Sequence, residues 1–213
     1  MHICEGDSVT AMRLNESAPE FEARSTAGPV RLSDYRGRWL LFFSHPADFT
    51  PVCTSEFVAL ARAAPRFDAL GCALLGLSVD SLYSHIAWLR DIETRLNLRI
   101  PFPVVEDPSM AIARAYGMLD PAAVSSATVR ASFVIDPEGI TRAMIWYPMS
   151  VGRSVDELLR LVAALQAADR QQASAPAGWQ PGAALLETGA LTLDEALARP
   201  DDETPWYLSE RKP

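Results

Sequence analysis

Apolar residues recur along this chain in two alternating rhythms. Trp39-Leu40-Leu41-Phe42-Phe43 is a short unbroken apolar run with the length and aromatic content of a buried strand, which predicts a strand over Leu40–Ser44. Downstream, Glu56, Phe57, Leu60, Ala61 and Ala64 recur at helical spacing, which predicts a helix from about Cys53 to Leu70 with Pro65 as a kink or break. The alternation then repeats. A strand over Cys72–Val79 leads into a helix over Ser84–Leu96, and the short Phe102–Val105 run leads into a helical Ser109–Tyr116. Ser132–Asp136 and Arg142–Tyr147 flank Pro137-Glu138-Gly139, whose turn-forming residues predict a hairpin. A long helix over Val155–Ala168 closes this block, and a strand-and-turn region ending near Gly37 precedes it. Strands and helices that alternate and end in a hairpin predict an α/β fold, a mixed sheet covered by helices on both faces.

The rhythm breaks near the C-terminal end. From Gln171 to Gly182 the composition shifts to Ala, Ser, Pro and Gln, which reads as a linker or extended loop. Beyond it, Trp179-Gln180-Pro181-Gly182 and Thr204-Pro205-Trp206-Tyr207-Leu208 keep large aromatics that a disordered tail lacks. The expected division is therefore a main domain over residues 1–170 and a small packed segment over 171–213.

Composition narrows the function classes. A chain of 213 residues with 49% hydrophobic content can bury one sizeable core. No window approaches the roughly 18 consecutive apolar residues of a membrane span, and His2-Ile3-Cys4-Glu5-Gly6-Asp7 lacks the basic start and apolar stretch of a signal peptide. A cytoplasmic protein with no membrane partner is expected. Nineteen basic against twenty-seven acidic residues give a formal charge of −8, which speaks against a nucleic-acid partner. Lys212 is the single lysine, so almost all cationic chemistry must be arginine chemistry. Three cysteines with no close pair are neither a disulfide scaffold nor a zinc site, and no metal or cofactor is expected.

One cysteine stands apart from the others by its position. Pro46-Ala47-Asp48-Phe49-Thr50-Pro51-Val52 is a proline-bounded loop between the predicted strand and helix, and Cys53 follows it in the first helical turn. Unpaired N–H groups and the positive dipole end of a helix favour an anion there, so the position favours a thiolate nucleophile over the buried inert cysteine that is otherwise common. Thr50, three residues earlier, occupies the place of the first cysteine in a C-x-x-C redox motif, so no disulfide can form there. Its hydroxyl can donate and accept, and it also suits a helix N-cap.

The spacing Pro-x-x-x-Thr-x-x-Cys, set in Phe43-Ser44-His45-Pro46-Ala47-Asp48-Phe49-Thr50-Pro51-Val52-Cys53-Thr54-Ser55-Glu56, resembles the active-site motif of the peroxiredoxins, most closely the one-Cys, peroxiredoxin-six branch and its archaeal relatives. The resemblance continues through Gly76–Ser81, Pro103–Asp107, Thr128–Pro137 and Tyr147–Arg153, fading in the first dozen residues and the tail. It implies a thioredoxin-like fold with a small C-terminal extension, and a homodimer built in part by that extension, with larger rings open.

The resemblance also assigns roles. Cys53 is the peroxidatic nucleophile, Thr50 orients the peroxide, and Pro46 shields the site. Arg130 matches the active-site arginine; its bland alternative is an ion pair at a strand end. Arg153 matches a second arginine of the one-Cys and archaeal proteins and otherwise reads as a solvated residue before a helix. Glu56, one turn after Cys53, pairs with an arginine or simply suits a first helical turn. His45 reads as pocket-lining, a packing residue that tunes the thiol. A phospholipase activity of some relatives requires a serine where this chain has Arg38, so that activity is not implied. Cys72 lies in an apolar run and reads as a small buried hydrophobe, Cys4 is near a terminus, and no cysteine follows Gln171.

The implied activity is reduction of hydrogen peroxide and alkyl hydroperoxides through a Cys53 sulfenic acid, in a one-Cys cycle that needs an external thiol reductant. The alternatives are a redox-sensing or chaperone-like binding protein switched by Cys53 oxidation, and a thiol–disulfide oxidoreductase, which the Thr50 substitution disfavours.

Overall fold

The computed structural model describes residues 12–119, 125–187, 189, 192–198 and 205–211. Cys4 and Thr204 lie outside the described residues, as does the side chain of Trp206. Two compact units divide the chain, Met1–Val155 and Asp156–Pro213. The compositional boundary at 170/171 falls at the end of a long helix, whereas the compact units part at its start.

The first unit is built on a seven-stranded sheet. Its strands are β1 (Glu22–Ser25), β2 (Gly28–Arg31), β3 (Trp39–Ser44), β4 (Cys72–Ser78), β5 (Val104–Glu106), β6 (Arg130–Ile135) and β7 (Thr141–Tyr147), and their order across the sheet is β2-β1-β5-β4-β3-β6-β7. The three central strands β3, β4 and β5 run parallel, because helices α1 (Pro51–Ala69) and α2 (Leu82–Leu96) supply the crossovers between them. The β6–β7 hairpin turns back antiparallel on β3, and β1 pairs antiparallel with both β2 and β5. The mixed sheet predicted from the alternating pattern is the one observed.

Side chains alternate across β3 and divide the core. Phe42 meets Tyr116, beyond the short helix α3 (Ala111–Ala115), with ring centroids 4.9 Å apart on one face, joined by Leu40, Leu75, Leu77 and Phe133. Phe43 meets Phe57 of α1 at 5.8 Å on the other, where Trp88 of α2 also packs on Phe57 at 4.5 Å. Gly76 makes room for that second layer, since a Cβ there would stand 3.3 Å from the Phe43 ring.

Three expectations change in detail. Helix α1 begins two residues before Cys53 and runs unbroken through Pro65 to Ala69. Arg130, placed by its sequence just outside the apolar strand, is instead the first residue of β6 and is buried. In the second unit, helix α4 (Val155–Gln171) is followed by a loop that is tied down, unlike a free linker: Ser174 and Leu186 exchange backbone hydrogen bonds of 2.8 and 2.7 Å, and the indole of buried Trp179 donates to the Ala183 carbonyl at 3.1 Å. An indole brings its neighbouring backbone out of water with it, so that backbone must pair. The unit also holds a two-stranded pair of β8 (Leu185–Leu186) and β9 (Glu210–Arg211), with a short helix α5 (Leu193–Ala198) between them in sequence.

Candidate active site

The loop after β3 delivers Cys53 to the start of α1. Thr50 takes the extended N-cap conformation, Pro51 follows as the first helical residue, and Cys53 is the third. Proline is well suited to that place because the N–H it lacks has no helical partner anyway. The Thr50 hydroxyl does not cap the helix; it donates to the Ala47 carbonyl at 2.9 Å, tightening the loop on itself. Phe49 turns the chain with φ of 56°, a left-handed conformation costly for a bulky residue, and the Asp48 N–H donates to Asp80 Oδ2 at 2.8 Å beside it. Pro46, within this loop, is buried.

Arginines from two other segments converge on the first turn of α1. The Arg130 Nη1 group donates to Cys53 Sγ at 3.3 Å and to Glu56 Oε2 at 2.8 Å, while Nε and Nη2 donate to the Met149 carbonyl at 3.1 and 2.8 Å. Arg153 clasps the same carboxylate: its Nε and backbone N–H donate to Oε1 at 2.9 and 2.8 Å, and its Nη2 to Oε2 at 2.8 Å. The remaining Arg153 nitrogen donates to the Ala131 carbonyl and Ser132 Oγ, and the guanidinium lies 5.0 Å from the centre of the Phe43 ring. Cys53, Glu56, Arg130 and Arg153 are all buried. Burial works to raise the Glu56 carboxyl, but the hydrogen bonds and charge of Arg153, with the charge of Arg130, hold it below the usual carboxylate range. One carboxylate between two guanidiniums leaves this cluster with a net positive charge beside the sulfur.

A second buried cluster lies behind the loop. His45 Nε2 and His85 Nδ1, on α2, each stand 2.8 Å from a different oxygen of Asp48. His85 Nε2 faces the Val105 carbonyl at 3.2 Å, whereas His45 Nδ1 has no hydrogen-bond partner. An ionised Asp48 accepts from His45 Nε2–H, which leaves Nδ1 of a neutral ring as a bare acceptor. Burial lowers the His45 imidazole against the raising effect of Asp48, and the two histidines hold the Asp48 carboxyl well below the usual range despite its own burial. These three residues are the group among those described whose ligand atoms lie close enough to hold a metal ion. Their hydrogen bonds already satisfy both carboxylate oxygens, and the donor set fits a proton-bridged triad better than a metal centre.

The structure thus joins Cys53, Glu56, Arg130 and Arg153 by direct bonds, and sets Thr50 and Pro46 in the loop that leads to them. Arg153, one reading of which was a solvated residue, is instead part of the buried network. His45 packs between Phe57 and Trp88, with ring centroids at 4.8 and 5.2 Å, and its one side-chain hydrogen bond runs to Asp48. Sequence reasoning passed over Asp48 and His85. Asp48 stands in the motif three residues after His45, a spacing that could have drawn attention; His85 is far away on α2, with no local signal at all. A cavity of about 420 Å³ lined by Tyr35, Arg38, Asp68, Cys72 and Phe102 opens at the opposite end of β3 and β4 and takes no part in this chemistry.

Comparisons with known proteins lead to one family. The model of the AhpC/TSA family matches residues 14–144, a span that includes Thr50, Cys53, Glu56 and Arg130. Over 197 aligned residues the chain is 47% identical to Peroxiredoxin 2 of Thermoplasma acidophilum, covering 92% of this chain and 98% of that one. Over 218 it is 52% identical to a peroxiredoxin of Aquifex aeolicus, covering 96% and 98%. Among solved structures, a yeast mitochondrial 1-Cys peroxiredoxin matches with a TM-score of 0.84 at 37% identity, over 95% of this chain and all (100%) of that one. A mutant of peroxiredoxin 6 from Arenicola marina matches with a TM-score of 0.80 at 33% identity, over 87% and 88%. With a family model matched over residues 14–144 and relatives matched along nearly their whole length, the chain belongs to the AhpC/TSA family: it is a peroxiredoxin, a thiol-dependent peroxidase.

Proposed function

We propose that this peroxiredoxin reduces hydrogen peroxide and alkyl hydroperoxides by a one-Cys cycle centred on Cys53. The observation that carries the reading is the 3.3 Å bond from Arg130 Nη1 to Cys53 Sγ, made by a guanidinium that Glu56 and Met149 hold in place. The Cys53 thiolate attacks one peroxide oxygen, the S–O bond forms as the O–O bond breaks, and the other oxygen leaves as hydroxide or alkoxide and takes up a proton. Sulfur is oxidised to a sulfenic acid, and the peroxide is reduced to water or alcohol. Arg130 meets the charge on sulfur before attack and on oxygen during it. Because the Thr50 proton is engaged by Ala47, its hydroxyl oxygen serves as an acceptor for the protonated peroxide oxygen. Cys53 is fully covered, so peroxide entry needs local opening of the loop whose outer members are the exposed Phe49 and Pro51.

The position of Cys72 supports a one-Cys cycle. It pairs with Trp39 at the start of β3, whereas Cys53 is bonded by Arg130, whose neighbour Ala131 reaches Ser44 at the far end of that strand. Five residue steps separate the two ends, about 16 Å at ~3.3 Å per residue, well beyond disulfide reach. Burial also pushes the Cys72 thiol up to about 12, which keeps it protonated and inert. The sulfenic acid then condenses with an external thiol, releasing water and forming a mixed disulfide that a second thiol resolves. For the yeast 1-Cys structure the named resolving systems are glutathione and thioredoxin, and a reductant of that class suits this chain.

The test is a Cys4→Ser, Cys72→Ser double variant assayed for peroxide consumption with dithiothreitol, with mass spectrometry of the wild type after one equivalent of peroxide. Full turnover and a sulfenic acid on Cys53 are expected. A stoichiometric disulfide from Cys53 to either other cysteine would overturn the one-Cys cycle, and absence of steady consumption would favour the redox-sensing alternative.

A further inference from the structure

Ser44 is fully buried at the end of β3, where its hydroxyl completes a ladder that the backbone leaves unfinished. The pairing of β3 with β6 runs from Leu40↔Ile135 to Phe43↔Ser132 and stops. One step further, Ser44 Oγ donates to the Val129 carbonyl at 2.6 Å and accepts from the Ala131 N–H at 3.1 Å. These two residues flank Arg130. Ala131 N also reaches the Val129 carbonyl at 3.0 Å, so Arg130 is the middle residue of a three-residue turn whose two ends are spanned by one hydroxyl. On the opposite side Arg130 pairs with Tyr147 of β7. Glu56 and Met149 orient the guanidinium, but the backbone from which it extends is held from the β3 side by Ser44.

We propose that Ser44 is a positioning residue for the peroxide reaction: its hydroxyl holds the backbone on both sides of Arg130 so that the guanidinium meets the Cys53 sulfur. The inference rests on the reading of Arg130 as the donor at that sulfur and extends it to the group that holds the Arg130 backbone. A displacement of the reacting geometry by about 1 Å can cost ~10²-fold in rate, so a small relaxation of this turn is enough to matter. Thr128 offers an internal control. It is equally buried in the same seam, but its hydroxyl donates to the His45 carbonyl at 2.8 Å and bridges neither neighbour of Arg130.

A double-mutant cycle of Ser44→Ala with Arg130→Lys tests this, read by stopped-flow rate constants for hydrogen peroxide and by thermal melts. Ser44→Ala is expected to slow the reaction about 10- to 10²-fold in the wild-type background. In the Arg130→Lys background its effect should shrink to within about twofold, while its loss of thermal stability stays the same. Thr128→Val should lower the melting temperature and leave the rate within about twofold of wild type. A wild-type rate in Ser44→Ala, or an equal loss in both backgrounds, would overturn the positioning role. An Arg130→Lys variant that reacts normally would overturn the reading of Arg130 itself, and the inference with it. Should Ser44→Ala fail to fold, Ser44→Thr, which keeps the hydroxyl but shifts it with an added methyl, enters the same cycle under the same criterion.

Discussion

Arg130 carries two tasks through one planar group. It donates to sulfur and to a carboxylate from the same nitrogen and is fixed at a carbonyl by the other two. Lysine keeps the charge but presents a flexible point donor, so Arg130→Lys is expected to slow the peroxide reaction by about 10²–10³-fold with a small change in folding. Rate constants set against thermal melts check it. The buried titrating residues set an acid limit on stability. Burial lowers His45 and the arginines lower Glu56, so both bind protons less readily in the folded chain than in the unfolded one. Stability is therefore complete above about 6.5, declines as the unfolded histidine charges, and declines further below about 4.3 as the unfolded glutamate protonates. Thermal melts between pH 8 and 4 should show this two-stage fall; a melting temperature that rises on acidification to pH 5 would contradict it.

At the level of elements, Glu56 is the knot between α1, β6 and the loop before α4. Its two oxygens accept from Arg130 on β6 and from both the side chain and backbone of Arg153. Removing one partner of a buried ionic cluster leaves charges without compensation, so Glu56→Gln is expected to cost about 3–5 kcal/mol. For a chain of this size that is a fall in melting temperature of about 6–20 °C. Calorimetry measures it, and a variant as stable as the wild type would show that the arginines find other acceptors.

At the scale of the whole molecule, the described residues of the C-terminal unit include exposed apolar side chains. Leu193 and Leu197 are each 73% exposed, and Tyr207 is 65% exposed. We propose that this unit pairs with a second copy. Deletion of residues 172–213 should then weaken self-association, measured by sedimentation across a range of concentrations; an unchanged dimer would show that the segment is dispensable. No helix among the described residues is long and apolar enough to cross a membrane.

Periodicity alone was enough to place β3, α1, β4 and α2 within a few residues, because burial of one face dictates the spacing of apolar side chains whatever the partner. Local pattern likewise singled out Cys53, at a helix start that favours an anion, with Thr50 three residues before it, whereas the role of Pro46 came through the resemblance. Arg130 and Arg153 were legible only through the resemblance; read bare, each was as much a surface charge as a site residue. Their burial on Glu56 is a fact of the β3–β6 pairing and of the chain's return after β7, contacts 74 and 97 residues apart in sequence. The same holds for Ser44 and for the Asp48–His85 bond across 37 residues. Local sequence determines where a side chain sits on its own element. Which distant groups surround it, and so whether a charge is solvated or aimed at a sulfur, is decided when the sheet closes.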